Sequence, residues 1–398
     1  MSTFPLCPEV RHEAAIRRVI DGCVEFVRAR LSPRTLVAVV LTGSFARGEG
    51  SVLSMGGRLK VLGDIEFFVV LARPLDYTRL RGEMATWGPL ASAAVGGDRV
   101  HADIEFGPVH VGYLERRAQP SIFIHDLRHH GKVLWGPPDL LEGMPPVGIE
   151  EIPREDALRL LLNRTIEQLE AYDRIAALDG ESSLDVAYQR IKLVLDLAGS
   201  ALAFSGRHQA LYAERPASLA RLVRETPSLA RRLPADFERE LAEATRVKLA
   251  PDEQDFADTR RTTLRGRIAA GVPALLGLLR WELGQILEAD DELEPLLDRY
   301  VGGQRLARRM WDWTKLRLNP LPAPVPISLR ACARLFRQST PRALIYAAGA
   351  LAYRDLQSSA PDRTIGRLLP IEPSAWPQDP EAQRRTIVAL WRWCVRNV

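Results

Sequence analysis

The chain has 398 residues, 46% hydrophobic and 26% charged, which excludes a disordered or low-complexity polymer and is enough for two or three domains. Its 54 basic and 50 acidic residues leave a net charge of +4 with the signs interspersed, which argues against a nucleic-acid-coating polycation while permitting an anionic ligand. The longest apolar run, Ile268 to Leu279, contains Pro273 and is too short to cross a bilayer.

No basic cap followed by an apolar stretch opens the chain, so no secretory signal is expected. Cys7, Cys23, Cys332 and Cys394 lie far apart without metal-ligand spacing. They fit a reduced, cytoplasmic setting, and the short apolar runs give the expectation of no membrane partner.

In chain order, Glu9 to Leu31 carries Ile16, Val19, Ile20, Val24 and Val27 at helical spacing. Three strands are predicted next, in LVAVVLTGS from Leu36, GDIEFFVVLA from Gly63 and RVHADIEFGPVHVGYL from Arg99. A helix over Tyr77 to Ala94 separates the second strand from the third. SIFIHDLRHHGKVLWG reads as a helix ending in a glycine-containing loop. After the proline-rich joint Gly136 to Gly148 the pattern turns helical: Glu155–Leu178, Leu184–Phe204, Ser218–Glu225, Phe237–Lys248, Thr262–Ala289 and Glu292–Leu316. A second joint, Asn319 to Ser328, precedes helices over Leu329–Phe336, Pro341–Tyr353 and Glu381–Val395. The expected fold class is an α/β (α+β) domain with a mixed sheet over residues 1–145. An all-α region follows, divided into 146–318 and 319–398.

The chemistry-bearing residues sit among the strands. Gly43 and Ser44 end the first, and a glycine followed by a hydroxyl and free N–H groups suits a phosphate-cradling turn. Asp64 and Glu66 are two apart, so they share one face of the second strand while Ile65 and Phe67 take the other. Asp103 and Glu105 repeat the device on the third strand. Carboxylates gathered at one sheet edge are oxygen ligands of the kind Mg²⁺ takes. With a triphosphate on the turn, two such ions would serve phosphoryl or nucleotidyl transfer.

The order of Thr42–Ser44, Gly63–Phe67 and Ala102–Phe106 resembles the nucleotidyltransferase superfamily that includes DNA polymerase β and the aminoglycoside (kanamycin-type) nucleotidyltransferases. The Asp-Ile-Glu form is closer to the antibiotic-modifying branch. The resemblance implies that Asp64 and Glu66 hold both metals, that Asp103 holds the catalytic one, and that Gly43 and Ser44 bind the β- and γ-phosphates. It also implies a helix-borne lysine reaching the triphosphate, for which Lys192 is the candidate. The implied activity is transfer of a nucleoside monophosphate from an NTP, ATP favoured, to a hydroxyl, with release of pyrophosphate. A small-molecule acceptor is favoured over nucleic acid or protein. The alternatives are nucleotidylation of tRNA or a partner protein, and an NTP-binding sensor without turnover.

Glu105 is the rival to Asp103, as a supporting residue or general base. The spacer from Phe45 to Gly63 is longer than the family's compact stretch and is read as a flexible insertion over the nucleotide. There Arg47 or Lys60 would touch phosphate. Six histidines before residue 131 lack zinc-ligand partners, so His129 and His130 read as helix-end charges. In RRMWDWTKLR, Trp311 and Lys315 sit at packing intervals, with RNA stacking the lesser reading.

Overall fold

The structure, a computed structural model, describes residues 5–97, 99–178, 180–319, 321–362 and 364–396. Contacts divide the chain into two compact units that are not collinear with the sequence. The first is Met1–Asp156 with Ser205–Ser218 and Arg239–Asp258, and the second is Ala157–Phe204, Leu219–Glu238 and Thr259–Val398. The three collinear segments read from the sequence do not anticipate this interleaving.

The first unit is built on a five-stranded mixed sheet. Helix α1 (Val10–Arg28) is followed by β1 (Leu36–Leu41), the short α2 (Gly43–Ala46), β2 (Val52–Met55) and the long β3 (Arg58–Leu71). Helices α3 (Pro74–Met84) and α4 (Trp87–Val95) lead to β4 (Val100–His110), α5 (Val111–Arg116), α6 (Ile122–His130) and β5 (Lys132–Trp135). One edge of β3 pairs antiparallel with β2 and then with β1, and β1 pairs antiparallel with β5. The other edge pairs with β4 in parallel. Apolar residues alternate to both faces of these strands, so each face needs cover. On one face Val39, Ile65, Phe67, Val69 and Ile104 pack with α1 and α4. On the other, Ala38, Val40 and Val70 pack with Leu114, Ile124 and Leu127 of α5 and α6.

The stretch read as a flexible insertion is instead a hairpin. Met55 and Arg58 pair across a two-residue turn in which Gly56 and Gly57 have φ +54° and +80°. Positive φ at both turn positions is what a type I′ turn demands, and glycine adopts it without steric cost. No atom lies within 4 Å of a Cβ built at either glycine, so a substitution there is opposed by backbone conformation alone. Gly57→Val is expected to cost about 1–2 kcal/mol through the left-handed backbone forced on a branched residue. Urea unfolding checks this, and an unchanged midpoint would contradict the turn.

Other expectations also change. The helix predicted over 77–94 is two helices, and the third strand gives way to α5 at Val111. The loop after α6 contains β5, with Val133 opposite Val40.

The second unit is helical. Helices α7 (Arg154–Arg174), which begins in the first unit, and α8 (Gly180–Phe204) are followed by α9 (Arg215–Glu225), whose first turn also belongs to the first unit, α10 (Pro227–Ala230), and α11 (Phe237–Leu249), which from Arg239 onward belongs to the first unit. Then come α12 (Arg261–Ala269), α13 (Val272–Leu287), α14 (Leu293–Gly302), α15 (Leu306–Arg317), α16 (Leu329–Gln338), α17 (Pro341–Arg354) and α18 (Pro380–Trp391). The helix predicted over 262–289 divides at Gly271, with Pro273 at the start of α13 where no N–H is needed. The helix predicted over 292–316 divides at Gly302 and Gly303. Inside this unit Tyr346 Oη donates to Asn163 Oδ1, which also accepts from Trp391 Nε1, tying α17 and α18 to α7. Among the described residues no helix is long and apolar enough to cross a membrane.

Candidate functional site

The site grows from the pairing of β3 with β4. Gly63, at φ +98°, lies in a register break: Lys60 pairs with His101 and Asp64 with Asp103. Three residues of β3 thus oppose only Ala102 of β4, a bulge that resets which carboxylates meet. Beyond it Asp64 stands beside Asp103 and Glu66 beside Glu105. Ile65 and Phe67 are buried on the opposite face, while Asp64 and Glu66 are half-buried and Asp103 and Glu105 exposed.

Like charges in register on adjacent strands repel, and compensation by a cation would turn that repulsion into a binding site. One oxygen from each of Asp64, Glu66 and Glu105 comes within 4.8 Å of the others. Asp103, the third ligand of the sequence reading, lies outside this group even though it faces Asp64 across the ladder. The member of the group contributed by β4 is Glu105, which stands beside Glu66. Three hard carboxylate oxygens at this spacing fit a divalent ion such as Mg²⁺, which takes oxygen ligands and completes its shell with water or phosphate.

Glu66 is tied to the end of β1. The Thr42 N–H donates to Glu66 O at 2.9 Å, and the Thr42 hydroxyl lies 3.5 Å from Glu66 Oε2. Gly43 follows at φ +65°, where a Cβ would collide with Glu66 Oε2. The backbone therefore approaches the carboxylate as only glycine allows. Ser44 is half-buried, and its carbonyl accepts from the Glu49 N–H at 2.8 Å.

Arg47 takes a different place from the phosphate contact expected of it. Only 9% of its side chain is exposed, and its guanidinium pairs with Asp126 of α6 at 3.3 Å. Glu49 and the Tyr212 ring lie on its other sides. Burial opposes the charge of Arg47, yet Tyr212, Asp126, Glu49 and Glu66 together raise its pKa above the ordinary value. Burial likewise disfavours ionised Asp126, but the His208 hydrogen bond and charge, then Arg47, leave its carboxyl below the usual range.

This network fastens the 205–218 segment to the sheet unit. His208 Nε2 lies 2.7 Å from Asp126 Oδ1, and the buried Glu49 accepts the N–H groups of Tyr212 and Ala213 at 2.9 and 3.1 Å. Sequence reasoning missed it, because its partners are 82 and 163 residues apart and no local spacing joins them. His129 and His125 belong to the same region: His129 Nδ1 bonds His125 O, and the His125 ring meets that of His208 edge-on. Lys60 is buried on the hairpin side of the bulge. Lys192 is half-buried on α8 of the second unit.

Compared with protein-family models, curated proteins and solved structures, the chain matches none of them.

Proposed function

We propose that the chain is a metal-dependent nucleotidyltransferase whose metal ligands are Asp64, Glu66 and Glu105. The observation that carries this reading is the meeting of those three carboxylates, from two adjacent strands, beside a glycine turn. Divalent cations bound there supply Lewis acidity and neutralise charge on a triphosphate. Thr42 fixes Glu66, and the sheet fixes Asp64 and Glu105, so the ligands are oriented before substrate arrives. The half-buried Gly43–Ser44 turn is the position for the β- and γ-phosphates.

In the reaction a bond forms between an acceptor hydroxyl oxygen and the α-phosphorus. The bond from the α-phosphorus to the β-bridging oxygen breaks, pyrophosphate leaves, and the hydroxyl proton passes to solvent. ATP is the favoured donor and a small molecule the favoured acceptor. Arg47 is assigned a supporting role, holding Asp126 and α6 against the turn.

Calorimetric titration with a non-hydrolysable ATP analogue tests this directly. Binding should require Mg²⁺ or Mn²⁺ and vanish with EDTA, and binding that ignores EDTA would contradict the reading. A parallel screen of the four NTPs for pyrophosphate release identifies the donor. Gly43→Ala should weaken Mn²⁺ binding by roughly tenfold, because the added methyl displaces the Glu66 carboxylate. An unchanged Mn²⁺ titration in that variant would separate the turn from the metal site.

A further inference from the structure

The outer side of α15 is apolar where a solvated helix should be polar. Trp311 is 58% and the capping residue Leu318 is 74% exposed, and Leu306 and Met310 are also exposed. At 100° per residue these side chains fall on one side of the helix, with Ala307, Thr314 and Arg317 between them. Six of the twelve exposed large hydrophobic residues among those described lie within residues 306–329, which marks this stretch off from the rest of the chain.

The helix is anchored by its other side. Trp313 Nε1 donates to Ser339 O, Leu316 is buried, and Arg309 donates to the carbonyls of Gly302 and Arg337. The packing interval read for Trp311 and Lys315 is real only as a contact between the two: Lys315 Nζ lies 5.4 Å from the Trp311 ring centre, on the exposed side.

The charge at this surface has one sign. Arg308 and Lys315 are exposed along the Trp311 edge of the stripe, the exposed Arg317 projects between Leu306 and Met310, and the exposed Arg305 caps the helix start. The helix's one acid, Asp312, has 9% of its side chain exposed and is paired with Arg308. A stripe of Leu, Met and Trp rimmed by Arg and Lys is the composition of a helix lying in a bilayer interface.

We infer that α15 docks on an anionic lipid surface, with Leu306, Met310, Trp311 and Leu318 entering the acyl boundary and the basic rim meeting headgroup phosphates. This does not depend on the nucleotidyltransferase reading. A spanning segment is not needed, so the expectation of no membrane partner, drawn from the short apolar runs, does not bear on it. A second copy is a poorer occupant, because a symmetric contact sets the basic rim against itself. Nucleic acid is poorer too: it would pair with the rim, but three of the four stripe residues are aliphatic and offer bases nothing to stack on.

Co-sedimentation of the full chain with phosphatidylcholine vesicles containing about one-third phosphatidylglycerol tests the proposal. The protein should sediment with these vesicles at low salt, be released by high salt, and stay in solution with pure phosphatidylcholine. The double variant Met310→Glu/Trp311→Glu should lose about tenfold or more in partitioning, and Lys315→Glu/Arg317→Glu a comparable amount. All four side chains face solvent, and an unchanged thermal melt confirms that each variant is folded. No sedimentation with anionic vesicles, equal binding to neutral ones, or undiminished binding by either folded variant would overturn the proposal. So would self-association without lipid that the apolar variant abolishes, or single-stranded RNA binding lost in that variant while vesicle binding is unchanged.

Discussion

Asp64→Asn is expected to lower metal-dependent pyrophosphate release by about a thousandfold or more while leaving the thermal melt close to wild type. The amide keeps the size of the carboxylate and removes its charge, so a metal ligand is lost without opening a cavity. Asp64 is half-buried and followed by the fully buried Ile65, which keeps the strand in place whatever stands at position 64. Glu105→Gln should behave in the same way, because its oxygen completes the group with Asp64 and Glu66. Asp103→Asn should retain metal binding, since Asp103 is exposed and outside that group. If Asp103→Asn lost Mn²⁺ binding while Glu105→Gln kept it, the assignment would return to the sequence reading.

The second large effect is on stability. Glu282 of α13 is fully buried, and burial pushes its carboxyl up to about 8, with the Ser200 hydrogen bond acting in the opposite direction. Ser200 Oγ lies 2.8 Å from both Ala157 O and Glu282 Oε1. A hydroxyl has one hydrogen to give. Given to Glu282, that hydrogen favours the carboxylate, but it does not outweigh the burial.

Because the folded pKa is raised, the folded state holds a proton that the unfolded state releases. The associated stability is complete below the ordinary carboxylate value of 4.5 and is lost as pH rises toward 8. Over that window the loss amounts to roughly 5 kcal/mol. Glu282→Gln should remove this dependence, matching wild type near pH 4.5 and exceeding it by a similar amount near pH 8. Chemical denaturation of both proteins across that range measures the difference. Parallel curves would show that Glu282 is not the protonated group.

Much of the candidate site was legible because strand geometry is periodic. Two-residue spacing placed Asp64 with Glu66 and Asp103 with Glu105 on shared faces, and the register sets Asp64 beside Asp103 and Glu66 beside Glu105. The choice between Asp103 and Glu105 was not legible. It depends on the bulge at Gly63, and a register break has no signature in carboxylate spacing. The hairpin was hidden for a different reason. Its glycine density suggested a flexible insertion, although Gly56–Gly57 between VLSM and RLKV carries a two-residue turn signal.

Tertiary pairing accounts for the other differences. Arg47 was read as touching phosphate because it lies in the stretch taken for a flexible insertion over the nucleotide, whereas it sits among Glu49 and, from distant parts of the chain, Asp126 and Tyr212. The joining of 205–218 to the sheet unit through Glu49 and Asp126 likewise depends on partners that no local window contains. Trp311 shows the limit of helical periodicity, which identified the helix but not the side that is covered.

The most direct test of the central claim is a Mn²⁺ titration followed by electron paramagnetic resonance, on wild type and on Asp64→Asn, Glu66→Gln and Glu105→Gln. Wild type should bind Mn²⁺ in competition with Mg²⁺, and each variant should weaken that binding by about tenfold or more. Mn²⁺ that stays free in wild type, or binds all four proteins alike, would contradict the account.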